Sequence, residues 1–396
     1  MVGLKGDSGG GTAQSPIGRV DLAPTDGYPE RTSLACRTNI PGPMTRSASA
    51  DQKYQDAINR FDDLGLVSND LTGADGLTLI AVVRNELFYL PSLLAHYRSL
   101  GVSRFIFLDD HSTDGSRSYL ACQADCMVVE SQRRFNDRER IDHPIAADDG
   151  TARVRDIWMT LLAQKYTQGR WSVQVDADEF MRLPEGLGLP ELARMLDRRG
   201  DKALSCVMID LYPAHISDLA AMKEDSSLDT GRAWYYDARQ HFTLPGAFRG
   251  PRWSQPNVTY PGSRARLMHQ WNIRPKSLTR RLEALYRIPR YNLIRKVPLV
   301  KFETGTYYLN PHRINKPVST RYVLPLEHFK FSGQLYARTE AAIRRKSHFD
   351  GSAEYQDIEL LLRRMTRAEA SFLCKCSSSD RSFSHYARSK VALGFG

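Results

Sequence analysis

The stretch Val173-Gln174-Val175-Asp176-Ala177-Asp178-Glu179-Phe180 decides what fold to expect, because it runs an apolar strand directly into three carboxylates. Neighbouring side chains of an extended segment point to opposite faces, so Asp176 and Asp178 can converge on one point. Carboxylate oxygens suit a hard divalent cation, either Mn²⁺ or Mg²⁺. Acids at the end of an apolar strand are typical of an active site at the carboxyl edge of an α/β sheet. The alternative interpretation is a solvated acidic turn.

The composition indicates a globular chain with an uneven charge distribution. Of its 396 residues 41% are hydrophobic, which allows one domain of about 250 to 300 residues with extensions. The net charge is +10, and residues 271–301 hold nine basic residues and one acid, 9 − 1 = +8. We expect this basic segment either to contact an anionic acceptor or membrane, or to form a solvated helical face. Zinc-finger spacing and RNP-like aromatic patterns are missing, which argues against a nucleic-acid partner.

The cysteines and the hydropathy pattern favour the cytoplasm. The six cysteines form no disulfide framework, and residues 1–11 show no signal-peptide pattern. The longest apolar run, residues 79–83, is far shorter than the roughly 20 residues that a membrane span needs. We therefore expect a cytoplasmic protein whose membrane contact is peripheral, at the inner face of the plasma membrane.

The order of patterns along the chain predicts three parts. Residues 1–70 are expected to be a disordered leader that contains a short amphipathic helix at 51–66. Residues 71–372 are expected to be the folded domain, and the Ser-rich residues 373–396 a flexible tail.

Within the domain, apolar runs and helical periodicities alternate. Strands at 77–83, 104–108 and 127–130 are separated by two helices, which predicts a doubly wound, mostly parallel α/β sheet with ligands at the carboxyl ends of its strands. Residues 131–150 are interpreted as an active-site loop, and 151–168 as a helix. A strand at 203–209 ends at Asp210, and beyond Tyr212 the pattern loosens into a C-terminal acceptor half. Further elements are expected there at 296–301, 306–309, 326–331, 335–346 and 354–372.

Several motifs occur in an informative order between Leu77 and Leu362. They are Arg84-Asn85-Glu86, Asp109-Asp110-His111-Ser112-Thr113-Asp114, Asp176-Ala177-Asp178-Glu179-Phe180, Lys296-Val297-Pro298-Leu299-Val300-Lys301 and His328-Phe329-Lys330-Phe331. Their order and spacing resemble family 2-like glycosyltransferases, most closely the D-x-D-E-F branch, which is similar to glycosyltransferase family 92. The resemblance implies a GT-A fold and a hexosyltransferase-type enzyme, usually inverting. Such an enzyme moves a sugar from a nucleotide-diphospho-sugar to a glycan, lipid-linked or other hydroxyl acceptor, as in surface polysaccharide or glycan assembly.

The resemblance also implies roles for individual residues. The nucleotide-sugar would contact the polar ends of the first two strands and the first acid of the metal motif: Arg84, Asn85, Glu86, Asp109, Asp110 and Asp176. Asp178, supported by Asp176, would hold the metal, and His328 would complete its shell. The alternatives are turn or cap roles for Asn85, Glu86 and Asp109, and a hydrogen-bonded core histidine at His328.

Inversion requires a base that removes the proton of the acceptor hydroxyl while cations take up charge on the leaving diphosphate. We expect Asp210 to be the base, with Glu327 as second candidate and a structural role as the alternative for both. The cations are expected among the arginines of 131–150, or to be Arg249 and Arg252.

Two rival functions remain at this point. A sugar-phosphate nucleotidyltransferase would use a similar sheet, but the residues after the first strand lack the glycine-rich loop that cradles a triphosphate. A non-catalytic carbohydrate- or membrane-binding module on a decayed transferase fold is the other, and the intact Asp176/Asp178 pair argues against decay.

Overall fold

The computed structural model describes residues 48–238, 242–243, 258–259, 262–273, 295–345, 349–389 and 391–395. The expected disordered leader up to residue 47, Arg249, Arg252 and residues 274–294 of the basic segment lie outside these ranges. None of the helices within the described ranges is both long enough and apolar enough to cross a membrane.

The strands are short and lie throughout the described chain. Their bounds are β1 (Gly65–Ser68), β2 (Thr78–Val83), β3 (Arg104–Asp109), β4 (Cys126–Glu130), β5 (Arg138–Arg140), β6 (Thr151–Arg153), β7 (Trp171–Gln174), β8 (Glu179–Met181), β9 (Ala203–Asp210), β10 (Tyr236–Asp237), β11 (Phe242–Thr243), β12 (Val258–Thr259), β13 (Arg295–Lys301), β14 (Tyr308–Asn310), β15 (Arg313–Ile314), β16 (Val323–His328) and β17 (Ser377–Ser378).

The helices connect and cover these strands. Their bounds are α1 (Ala48–Asn59), α2 (Leu90–Ser99), α3 (Ser116–Ala121), α4 (Val154–Thr167), α5 (Leu189–Arg198), α6 (Ile216–Ala221) followed by a 3₁₀ turn (Met222–Glu224), α7 (Gly262–Gln270), α8 (Gln334–Arg345), α9 (Phe349–Arg367) and α10 (Phe383–Arg388).

Nine strands of the described chain form one central sheet in the order β1-β4-β3-β2-β7-β13-β9-β16-β8. Six of them, β2, β3, β4, β7, β9 and β16, run in one direction, while β1, β8 and β13 run in the other. The protein therefore has a mixed α/β fold around a large, mostly parallel sheet, as the sequence predicts.

Helices cover both faces of the sheet because β2 is apolar on both sides. Leu79 and Val83 belong to a core that includes α2, whereas Ile80 belongs to a second core that includes α4. The helical spacing of the apolar residues in α2, with Pro91 in its first turn, places one buried stripe on the sheet. The alternation of facing side chains along β2 thus produces the doubly wound arrangement that was expected.

The structure differs from the sequence-based expectation at the start of the domain. Strand β1 pairs with β4 and forms the edge of the central sheet, so residues of the expected leader are part of the fold. The predicted helix forms as α1, and Ile58 on it and Phe61 in the turn after it pack in a third core with Ile141 and Ile145. Those two isoleucines belong to the expected active-site loop, which is instead partly a hairpin, since β5 pairs with β6.

The expected flexible tail also differs. Tyr386 and Val391 are fully buried, and β17 pairs with β10. Leu393 exchanges backbone hydrogen bonds with Val323 at the start of β16. The Ser-rich composition suggested disorder, but a few apolar side chains are enough to dock this C-terminal segment, residues 374–389 and 391–395.

Candidate functional site

The candidate site lies where the winding of the sheet changes direction. From β2 the chain proceeds outward through β3 to β4, and then returns to place β7 on the other side of β2. Ligands of open α/β sheets bind at such a switch point, outside the carboxyl ends of the strands. A crevice of about 20 Å³ opens here between β2, β7 and α4, and Arg155, Asp176 and Lys296 line it together with apolar residues of these elements. Its volume suffices for about one water molecule.

Asp176 follows β7 and is half exposed, with two cations beside its carboxylate. Its oxygens lie 3.1 Å from a guanidinium nitrogen of Arg155 and 3.0 Å from Nζ of Lys296. Burial opposes ionisation, but Lys296 and Arg155 outweigh it and hold the pKa of Asp176 below its usual value. Lys296 also pairs with the buried Glu179, so one ammonium group compensates two acids.

Asp178 is buried, and its carboxylate contacts a different pair of cations. Oδ2 accepts a hydrogen bond from Arg338 at 2.7 Å and lies 3.5 Å from Nε2 of His328. Burial would raise the pKa of Asp178, but His328 and Arg338 outweigh that effect and keep it well below its usual value. The amide of Phe329 donates to the Asp178 carbonyl at 2.9 Å, which fixes the acidic turn on the end of β16.

Arg338 is the cation that bridges the acids after β2 and after β7. It lies on α8 and pairs with both Asp178 and Glu86, and its guanidinium lies 4.5 Å from the ring centre of Tyr89. Gly333, just before α8, touches the backbone of the 3₁₀ turn so closely that a Cβ would lie 1.9 Å from the Met222 carbonyl oxygen. Only glycine fits there, and the close contact sets where α8 begins.

His328 is held by a chain of ion pairs behind it. Its Nδ1 lies 2.6 Å from Oδ1 of Asp210, whose other oxygen accepts from Nε of Arg264 at 2.7 Å. Arg264 in turn pairs with Glu354 at 2.5 Å. Burial alone would lower the pKa of His328, but the carboxylates of Asp178 and Asp210 raise it to about 9. The imidazole is therefore cationic at neutral pH in this arrangement.

Neither expected base is placed to accept a proton. Asp210 is buried, both of its oxygens are engaged by His328 and Arg264, and these cations hold its pKa below its usual value against the effect of burial. Glu327 precedes His328 on β16, so its side chain points to the other face of the sheet. There it is fully buried and accepts hydrogen bonds from Arg381 at 2.6 and 2.9 Å. Asp210 thus positions His328, and Glu327 anchors the C-terminal segment.

The residues that follow β2 and β3 divide into two groups. Asn85 has a left-handed backbone (φ +56°), and its Oδ1 accepts from the Thr113 amide at 2.7 Å. Asp109 accepts from the Ser112 amide, and Asp110 pairs with Arg84 at 3.1 Å. Asn85 and Asp109 therefore build the loops, in line with the turn and cap alternative, and Asp110 is engaged by Arg84. Glu86 instead reaches the acid cluster through Arg338. Burial raises the pKa of Glu86 to about 7 despite Arg338.

Among the described residues, the cations that pair with the acids of the site lie outside the expected loop 131–150, and Arg249 and Arg252 lie outside the described ranges. Within the expected loop, Arg133 pairs with Asp63 and Arg138 with Asp149, away from the acids. Arg155, Lys296 and Arg338 supply the positive charge instead. Sequence signals were available for two of them: Arg155 lies in the first turn of a helix, where a cation is unfavourable, and Lys296 directly precedes the apolar run of β13.

The donor types at the site fit a divalent cation, although the side chains are engaged elsewhere. Asp176, Asp178 and His328 offer two carboxylates and an imidazole, which can bind Mn²⁺. Among the described residues, however, only Asp237, Cys374 and Cys376 bring three such ligand atoms within 4.8 Å of one another. Lys296 and Arg338 already balance the charges of Asp176 and Asp178. A metal ion at Asp178 therefore requires Arg338 to release its oxygen, and coordination by His328 requires the imidazole to lose its Nε2 proton.

Comparison with known proteins adds no family assignment. No family model matches the chain, and no curated protein sequence matches it.

Proposed function

We propose that this protein is a metal-dependent glycosyltransferase of GT-A type that moves a sugar from a nucleotide-diphospho-sugar to an acceptor hydroxyl. The observation that carries the proposal is the meeting of Asp176, Asp178 and Glu86 with Arg155, Lys296 and Arg338 at the switch point of the sheet. A cluster that contains both acids and cations suits a ligand that brings a metal ion together with a diphosphate.

The residues divide the work by charge. Asp176 and Asp178, with His328, would hold Mn²⁺ or Mg²⁺, which when bound supplies charge neutralisation for the leaving diphosphate. Arg155 and Lys296 line the crevice and can bind phosphate oxygens directly. Because the crevice is smaller than a nucleoside, the donor would lie across its mouth, between β2 and β7.

The first experiment is a panel of nucleotide-sugars, each incubated with the full chain in Mn²⁺ or in a chelator and assayed for the free nucleoside diphosphate. We expect one donor to be hydrolysed or transferred only with the metal. A parallel incubation contains a sugar phosphate and a nucleoside triphosphate, and release of pyrophosphate there would instead identify a nucleotidyltransferase. Metal-dependent binding of the donor without turnover would favour the non-catalytic module.

Asp178→Asn tests the acid pair within this assay. Loss of a transition-state charge contact should lower turnover by at least about 100-fold, roughly 3 kcal/mol. Glu185→Gln, an exposed acid in the loop after β8, serves as the matched control and should keep the wild-type rate. Full activity in Asp178→Asn would remove the metal role of this residue.

A further inference from the structure

Two cysteines near the C-terminus lie in direct contact. Cys374 and Cys376 are separated by Lys375, and their sulfurs are 2.6 Å apart. The intervening turn imposes this geometry: the Ser377 amide donates to the Cys374 carbonyl at 3.1 Å, and the Ser377 hydroxyl accepts from the Cys374 amide at 2.9 Å. The chain therefore brings both sulfurs together before any bond joins them.

The surroundings hold this turn from two sides. Strand β17, directly after Cys376, pairs with β10, and the Ala238 amide donates to the Cys376 carbonyl at 2.7 Å. The buried carboxylate of Asp237 on β10 lies 3.7 Å from the Cys374 sulfur. Both thiols are only half buried, so small reagents can reach them.

A disulfide explains these contacts better than a metal ion does. Two thiolates on one tetrahedral zinc, each about 2.3 Å from it, would be nearly 4 Å apart. The observed sulfur separation is far shorter than that. The third candidate ligand is also committed, because Asp237 accepts from Arg266 at 2.7 and 3.1 Å and from the Tyr212 hydroxyl.

We propose that Cys374 and Cys376 form a reversible dithiol–disulfide pair, oxidised through exchange with a low-molecular-weight disulfide such as oxidised glutathione. One cysteine thiolate attacks the small disulfide and releases one small thiol. The second cysteine then attacks the mixed disulfide, forms the Cys374–Cys376 bond and releases the other small thiol. The two electrons lost by the cysteines reduce the small disulfide, and the two cysteine protons end on its two thiols.

The same environment sets the rate of this exchange. Burial raises the pKa of Cys376 to about 12, and the neighbouring Cys374 and Asp237 act in the same direction. The thiolate of Cys376 is therefore scarce at neutral pH, and attack by this sulfur is slow. Proximity of the sulfurs nevertheless favours closure of the ring once one cysteine carries a mixed disulfide.

Oxidation would stiffen a part of the molecule that touches the candidate site. Asp237 binds Arg266 on α7, and Arg264 on the same helix holds Asp210 behind His328. The turn also leads into Arg381 and Tyr386, which donate hydrogen bonds to Glu327. The redox state of the pair is thus expected to set the rigidity of the C-terminal segment.

The test uses trypsin, because Lys375 lies between the two cysteines. The full chain is equilibrated in glutathione buffers of increasing oxidised fraction, quenched with acid, alkylated and digested. We expect peptides 368–375 and 376–381 to appear as one disulfide-linked species, and both cysteines to lose alkylation in a single transition. The exposed Cys122 should carry glutathione instead and so reports access of the reagent.

Cys376→Ser is the matched control, in which Cys374 should retain glutathione because no second thiol can resolve it. Glutathione on both cysteines of the wild type, or full alkylation of both in the most oxidising buffer, would overturn the proposal. Stoichiometric zinc binding that is lost in Cys376→Ser would also overturn it in favour of a metal site. Hydrogen exchange in residues 374–389 should slow on oxidation, and an unchanged rate would refute the stiffening. None of these readouts depends on glycosyl transfer.

Discussion

Two halves of the central sheet meet at the candidate site, and the chain forms them differently. Strands β4, β3, β2 and β7 are parallel neighbours, and successive crossovers through α2, α3 and α4 connect them. Strands β13, β9, β16 and β8 form the other half, in which β13 and β8 run in the reverse direction. The first half is thus assembled from local units and the second from distant segments.

This difference divides the chemistry of the site. The ends of β2 and β7 supply Glu86, Asp176 and Asp178, whereas Lys296, His328 and Arg338 come from the second half or the helix that follows it. Apart from Arg155, which pairs with Asp176 within the first half, the cations that neutralise these acids come from the second half or from the helix that follows it. We call the boundary between the two halves the seam, and attraction across it helps to hold the halves together. The second half should therefore depend more on buried ion pairs than the first.

The largest effect is expected at Glu327, in the second half. Glu327→Gln removes the charge that faces Arg381, Arg182 and Tyr386 while keeping the side-chain volume. Breaking a buried pair leaves uncompensated cations, so the free energy of unfolding should fall by about 3–5 kcal/mol in urea titrations. Glu191→Gln, which faces Arg194 and Arg198 on an exposed surface, should leave the urea midpoint almost unchanged. A loss below about 1 kcal/mol in Glu327→Gln would show that the C-terminal segment is held mainly by apolar contacts.

The next effect tests the seam itself. Arg338→Met leaves Glu86 and Asp178 without their shared cation, and the free energy of unfolding should fall by about 2–4 kcal/mol. Arg344→Met, one to two turns later on α8 and mostly exposed, is the control that should behave as wild type. Added Mn²⁺ should raise the melting temperature of Arg338→Met more than that of the wild type, because the metal ion no longer competes with the Arg338 guanidinium for the Asp178 carboxylate. Equal shifts in both proteins would contradict a metal ion at Asp178.

The two halves also differ in what the sequence could reveal. The first half follows from local pattern: apolar runs of β2 and β3, helical spacing in between, and acids at the strand ends. The contacts that complete the site do not follow from local pattern, because Arg338 pairs with Glu86 across 252 sequence positions and Lys296 pairs with Glu179 across 117. A surface-like composition also concealed Tyr386 and Arg381, whose burial depends on Glu327 from β16. Local sequence patterns could not show that the carboxylates of Asp210 and Glu327 are engaged in ion pairs, because their partners lie on other elements.

A smaller effect is expected at Arg104, at the start of β3. This buried cation donates to the Thr78 hydroxyl and to the carbonyls of Leu71 and Tyr166 at 2.6–3.0 Å, and no acid pairs with it among its hydrogen-bond partners in the described chain. Arg104→Met would leave these acceptors unsatisfied, so the free energy of unfolding measured in urea should fall by about 2 kcal/mol. Arg170→Met, which removes a more exposed arginine, is the control. A loss larger than that of Glu327→Gln would reverse the proposed contrast between the halves.

The smallest effect concerns pH and offers two reporters: His312 lies within the second half, and His96 lies where α2 of the first half meets β8 of the second. His96 on α2 lies 2.8 Å from the Met181 carbonyl oxygen, and His312, before β15, lies 2.7 Å from the Arg295 carbonyl oxygen. Burial lowers the pKa of both to about 4, below the value near 6.5 of an unfolded chain. The unfolded state therefore binds protons more readily, so the stability present above pH 6.5 is lost progressively as the pH falls toward 4.

Each histidine should contribute about 1–2 kcal/mol to the loss of stability between pH 7 and pH 5, measured by urea unfolding at several pH values. His96→Gln and His312→Gln should each flatten this slope, whereas the exposed His215→Gln should not. If the halves unfold as one unit, the two variants flatten the same transition. If the two variants alter different transitions, the contact of His96 between the halves and the contact of His312 within the second half are lost in separate steps, as expected when one half is built from local units and the other depends on ion pairs across the seam.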